Sequence, residues 1–133
     1  MNIPEKIKIG NADYKVELTK EKILEDEKEY SGIIDFTFHK IRISKDQDKH
    51  NQEEVFLHEV IHGILNERDV ELEENQEEII CNAISKGMHQ ILKDNPGLFK
   101  KQEHRIFISM PQISGVPEEV QDAIKKAMGK IHL

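Results

Sequence analysis

The run VFLHEVIHGIL, residues 55–65, constrains this chain more than any other stretch. Its apolar residues Val55, Phe56, Leu57, Val60, Ile61, Ile64 and Leu65 cover nearly the whole circumference of a helix, as expected for a helix buried in a core. Into that apolar cylinder the sequence sets His58, Glu59 and His62. Residues four apart differ by about 400° of rotation, so the two imidazoles project from one face about 6 Å apart and can pinch one ion. Glu59 is rotated by about 100° from His58, which holds its carboxylate beside such an ion, in reach of a bound water rather than in the ligand set. In a chain with seven histidines, chance produces this pattern about 5% of the time, so the buried context is what makes it informative. Burying such groups without partners costs a few kcal/mol, and a metal supplies the partner. The competing account is a pair of core histidines satisfied by hydrogen bonds.

A chain of 133 residues with 37% hydrophobic content fits one compact domain with a single core. The formal charge of −7 and a pI near 5.5 argue against nucleic acid as a partner and suit a cationic peptide better. Cys81 is the one cysteine and has no internal disulfide partner, and the opening MNIPEKIKIG lacks the apolar stretch of a secretion signal. No segment approaches the roughly 18 consecutive apolar residues of a membrane span. The expectation is a soluble, cytoplasmic protein.

The pattern around the motif helix predicts an α+β domain over residues 1–96, followed by a C-terminal extension over 97–133. Ile7–Ile9 and Tyr14–Leu18 flank Gly10-Asn11 as a hairpin, and Ile33, Ile34, Phe36, Phe38, Ile41 and Ile43 suggest two strands joined near His39-Lys40, together a small antiparallel sheet. The charged stretch from Glu21 to Glu29 reads as a solvated loop or short helix. Asn51, with Glu54 three residues on, predicts the start of the motif helix, which should end near Arg68. After an acidic connection, a second helix carries Ile80, Ile84, Met88 and Ile91 on one stripe and stops at Asn95-Pro96-Gly97. Arg105–Ser109 suggests a strand. Pro117–Met128 suggests a helix whose stripe of Val120, Ala123, Ile124, Ala127 and Met128 docks on the domain's own core or makes an oligomer.

One helix cannot surround an ion, so a catalytic zinc needs a third ligand and an open position for water. Glu77 shares the stripe of Ile80, Cys81 and Ile84 that should face the core, whereas Glu78 shares a stripe with Asn82, Ser85 and His89 that should face solvent. Face arguments therefore prefer Glu77, with Glu78 as the alternative. Cys81, one turn after Glu77, would close the shell and make the metal structural if it ligated, but a lone helical cysteine is more often a small core residue. His89, His104, Arg105 and Tyr30 are chemically able to stabilise an oxyanion, though nothing in the spacing brings them to the metal.

The segment LHEVIHGIL, the acidic connection and then EEIICNAISKGMHQILKDNP resemble the small HExxH metallopeptidases of bacteriophages and mobile elements, gluzincins related to the ImmA/IrrE and SprT-like groups. The similarity runs from about residue 6 to residue 96. The resemblance implies a minimal zincin-like core, with His58 and His62 as zinc ligands, Glu59 as catalytic base and a second-helix glutamate, aligned to Glu77, as third ligand. It also implies hydrolysis of peptide bonds in a protein partner, such as a regulator encoded by the same element. The chain departs from the pattern at His89, where many relatives carry Tyr. The rival function is a metal-binding module that acts in protein interaction or assembly without turnover.

Overall fold

Alternating burial runs along Ala12–Thr19 and Lys40–Ser44, the two inner strands of the sheet, and the computed structural model describes residues 1–99 and 118–129. Strands β1 (Lys6–Ile9) and β2 (Ala12–Thr19) form the expected hairpin, with Gly10 at φ +58° in its turn. A side chain at Gly10 would be strained, and its Cβ would stand 2.9 Å from Glu67 Oε2. Next come β3 (Ile23–Glu25) and β4 (Lys28–Tyr30), a separate two-stranded ribbon where the charge pattern suggested a loop or short helix. Asp26 and Glu27 both take positive φ, the backbone of a two-residue hairpin turn, and neither is the Gly that marks such turns in a sequence.

Strands β5 (Gly32–Asp35) and β6 (Lys40–Ser44) complete a four-stranded sheet of order β1-β2-β6-β5. This sheet is mixed rather than antiparallel, because β2 and β6 run parallel from Lys15↔Lys40 to Thr19↔Ser44. The physical reason lies in burial: Ile41 and Ile43 are both fully buried, so β6 takes an inner position with a neighbour on each side, and β5 is left at the edge. Phe36 and Phe38 fall in the β5–β6 turn, not in strands, and Phe38 is 74% exposed. Asp35 sets that turn by accepting hydrogen bonds from the backbone N–H groups of Thr37 and Phe38, each at 2.9 Å.

Helix α1 (Lys49–Glu67) starts two residues before the expected Asn51. Asp48 is the cap: its carboxylate accepts from the Asn51 backbone N–H at 2.8 Å, so Asn51 is the capped residue and not the capping one. The helix ends at Arg68 as expected, in a Schellman turn in which the N–H groups of Asp69 and Val70 reach the carbonyls of Asn66 and Leu65. Asp69 holds the left-handed position at φ 56°, which more commonly falls to glycine.

One face of α1 lies on the sheet. Phe56 joins Ile9, Tyr14, Val16, Ile41 and Ile43 in the core, and Gly63 lets the sheet approach: a Cβ there would meet Ile9 Cδ1 at 2.8 Å. Gly32 does the same for β5, since a side chain would collide with Val55. The helix is not apolar all round, however: Ile64 is exposed while Glu53 and Glu59 are buried.

Helix α2 (Glu74–Asp94) packs on α1 and ends at Asn95, as its sequence predicts. Its facing departs from the expectation in part, with Cys81 buried as expected but Ser85 and His89 buried in place of Ile84 and Ile91. Cys81, Ser85 and His89 are buried, whereas Ile79, Ile84 and Ile91 are exposed. The chain divides into two units, Met1–Asn95 and Pro96–Leu133. In the second, α3 (Glu118–Gly129) has Glu118 and Glu119 in its first turn and Lys126 in its last, which suits the helix dipole. The strand expected at Arg105–Ser109 lies outside the described residues. Among the described residues, no helix is long and apolar enough to cross a membrane.

Candidate metal centre

The i, i+4 spacing on α1 brings His58 Nε2 and His62 Nε2 to 3.0 Å. Both rings are largely buried where α1 meets the first turns of α2. Glu78 reaches across from α2, with Oε1 2.8 Å from His62 Nε2 and Oε2 3.3 Å from His58 Nε2. Glu77 approaches the other side of the same ring, its Oε2 2.7 Å from His62 Nδ1. The two candidate glutamates are thus separated by role: Glu78 meets the nitrogens that converge, and Glu77 grips the nitrogen that points away.

That arrangement dictates the protons. A carboxylate only accepts, so His62 Nδ1 carries a hydrogen and donates it to Glu77. His62 Nε2 faces a Glu78 oxygen at 2.8 Å, a separation that calls for either a proton or a metal ion between the two atoms. His58 is held below its ordinary pKa by burial, against the pull of Glu78 toward the charged form. One ligand atom from each of His58, His62 and Glu78 lies within 4.8 Å of the others. Two imidazole nitrogens and a carboxylate oxygen are the donor set of a catalytic zinc site, so the residues fit that ion.

Glu59 lies between α1 and the edge strand β5, where burial pushes its pKa up to about 7, opposed in part by His62 and by a hydrogen bond from the Ile34 backbone. It lines, with His58, Glu78, Asn82, Gly32 and Tyr30, an open cleft of about 450 Å³. Of the two oxyanion candidates among the described residues, Tyr30 and His89, Tyr30 comes to this cleft. His89 sits farther along α2 against Glu53, and His104 and Arg105 lie outside the described residues.

Cys81 is fully buried, and its thiol is pushed up to about 12 by burial and by the carboxylates of Glu77, Glu78 and Glu59. It belongs to neither group of converging donors among the described residues, and it packs as the small core residue its sequence context suggested. The preference for Glu77 rested on Ile80, Cys81 and Ile84 facing the core; Cys81 is buried and Ile80 half-buried, but Ile84 is exposed. Sequence reasoning missed two further features: the orienting contact of Glu77, and a second polar cluster of His50, Glu53, Glu54 and His89. A signal for the latter was present, since His50, Glu54, His58 and His62 repeat every four residues along α1. Comparison with family models, curated proteins and solved structures finds no match to this chain.

Proposed function

We propose that the protein is a zinc-dependent hydrolase of peptide bonds in a protein partner, such as a regulator encoded by the same mobile element. His58, His62 and Glu78 hold the ion, Glu59 is the general base, and Glu77 is a positioning residue. The observation that carries this reading is the convergence of His58 Nε2, His62 Nε2 and the Glu78 carboxylate at the mouth of a cleft that Glu59 also lines. A zinc ion held there supplies an acidified water and a Lewis acid for the scissile carbonyl. The Glu59 carboxylate, buried beside His58, takes the proton of the attacking water and returns it to the leaving amine. Glu77 keeps the His62 proton on Nδ1 and so keeps Nε2 free to ligate. Tyr30 borders the cleft with a hydroxyl suited to the developing oxyanion. The open edge of β5 offers backbone groups to an extended peptide laid along the cleft.

The test compares wild type with Glu59→Gln for bound zinc and for cleavage of peptide libraries and of co-encoded proteins. Equal zinc in both, with cleavage by the wild type alone, supports hydrolysis with Glu59 as base. Zinc without cleavage by either favours the silent metal-binding module.

A further inference from the structure

The α1–α2 contact contains a second group of donors, two turns away from the first along α1. His50 Nε2 lies 2.7 Å from Glu54 Oε1, one turn along the same helix face. His89 comes from the last third of α2, 5% exposed, with its ring centroid 4.5 Å from that of His50 at an interplanar angle of 83°. One ligand atom from each of the three lies within 4.8 Å of the others. Glu53, which also accepts from the Met1 ammonium at 2.9 Å, lies 3.3 Å from His89 Nε2 and orients its ring beside His50 and Glu54. A buried carboxylate thus fixes the ring of an imidazole donor here, as Glu77 does for His62.

We propose that His50, Glu54 and His89 form a second site for a zinc-class cation, which staples the start of α1 to the far end of α2. Two imidazoles and one carboxylate select a borderline transition ion over magnesium or calcium, which require mostly oxygen. The need for a staple is visible in the packing. Of the three residues that α2 buries, Cys81 is the only apolar one, and Ser85 and His89 are the others. Ile80, Met88 and Leu92 are only half-buried, so this contact gains less from apolar burial than the sheet face of α1 does, and coordination across it would add to that gain. His50 is half exposed, so the ion enters from solvent and exchanges. Lys49 and Lys93 border the adjoining cleft of about 330 Å³, and their charge makes this site weaker than the one at His58 and His62.

The experiment is zinc titration of the full chain, read as metal per chain after dialysis and as the zinc-dependent rise in melting temperature. Wild type should bind two equivalents, and the double variant His58→Ala/His62→Ala should retain one, with a melting temperature that still rises on adding zinc. His50→Ala, at a half-exposed position that folding tolerates, should lose one equivalent, and adding it to the double variant should abolish both signals. A single equivalent in wild type, lost in the His58/His62 double variant, overturns this site and leaves the proposed catalytic centre standing. A single equivalent that survives that double variant and disappears in His50→Ala supports this site and overturns the catalytic centre. Two equivalents undiminished by His50→Ala overturn it as well.

Discussion

The two faces of α1 obey different rules. Toward the sheet it presents Phe56 and Gly63 to a dry cluster of Ile9, Tyr14, Val16, Ile41 and Ile43, a contact made of shape and apolar area. Toward α2 it presents His50, Glu54, His58 and His62, and α2 answers with Glu77, Glu78 and His89. The first face stabilises the domain, whereas the second gathers imidazole and carboxylate groups from both helices. Separating the two lets one helix carry both a core and a candidate metal centre, because a defect in the polar face does not open a cavity in the apolar one.

That separation is open to attack, and the largest effect should come from the dry side. Phe56→Ala is expected to destabilise the apo-protein by about 3–5 kcal/mol in urea unfolding, since it removes a fully packed ring from the centre of the cluster. On the polar side, Glu78→Gln should weaken zinc binding by more than 100-fold, while Glu77→Gln should cost about 10–100-fold, the range for a residue that orients a ligand. Isothermal titration would rank them, and the reverse order would restore the face argument made from sequence. Smaller still, Asp69→Gly in the turn that joins the helices should raise stability by up to about 1 kcal/mol, because glycine takes the left-handed position without strain. The smallest change is expected for His58→Ala/His62→Ala in the presence of chelator, under about 1 kcal/mol by the same unfolding assay. A loss of several kcal/mol there would show the histidines to be hydrogen-bonded core residues, and the two faces of α1 would no longer be distinct in kind.

Much of the fold was legible locally. The hairpin at Gly10-Asn11, the end of α1 at Arg68 and the stop of α2 at Asn95 each follow from turn or cap chemistry within a few residues. The β3–β4 ribbon was hidden because its turn is made by Asp26-Glu27, charged residues in a backbone conformation that glycine and asparagine usually announce. The parallel pairing of β2 with β6 was hidden for another reason. Strand order depends on which strands are buried on both edges, and hydrophobic alternation in one strand does not state its neighbours.

At the candidate centre the same division holds. His58, Glu59 and His62 share one rigid helix, so 3.6-residue periodicity alone sets their mutual placement. Which glutamate meets which imidazole nitrogen is a question about two helices: the apolar stripe of α2 pointed to Glu77, which meets His62 Nδ1, whereas Glu78 meets the converging Nε2 atoms. Because α1 offers a polar surface, α2 docks through Cys81, Ser85 and His89, leaving Ile84 and Ile91 outside and bringing Glu78 to the converging nitrogens. The sequence by itself determined both long helices, the first hairpin and the spacing within each of them, since those depend on local backbone geometry. The partner across the gap was decided by tertiary structure alone, since it depends on how two surfaces complement each other.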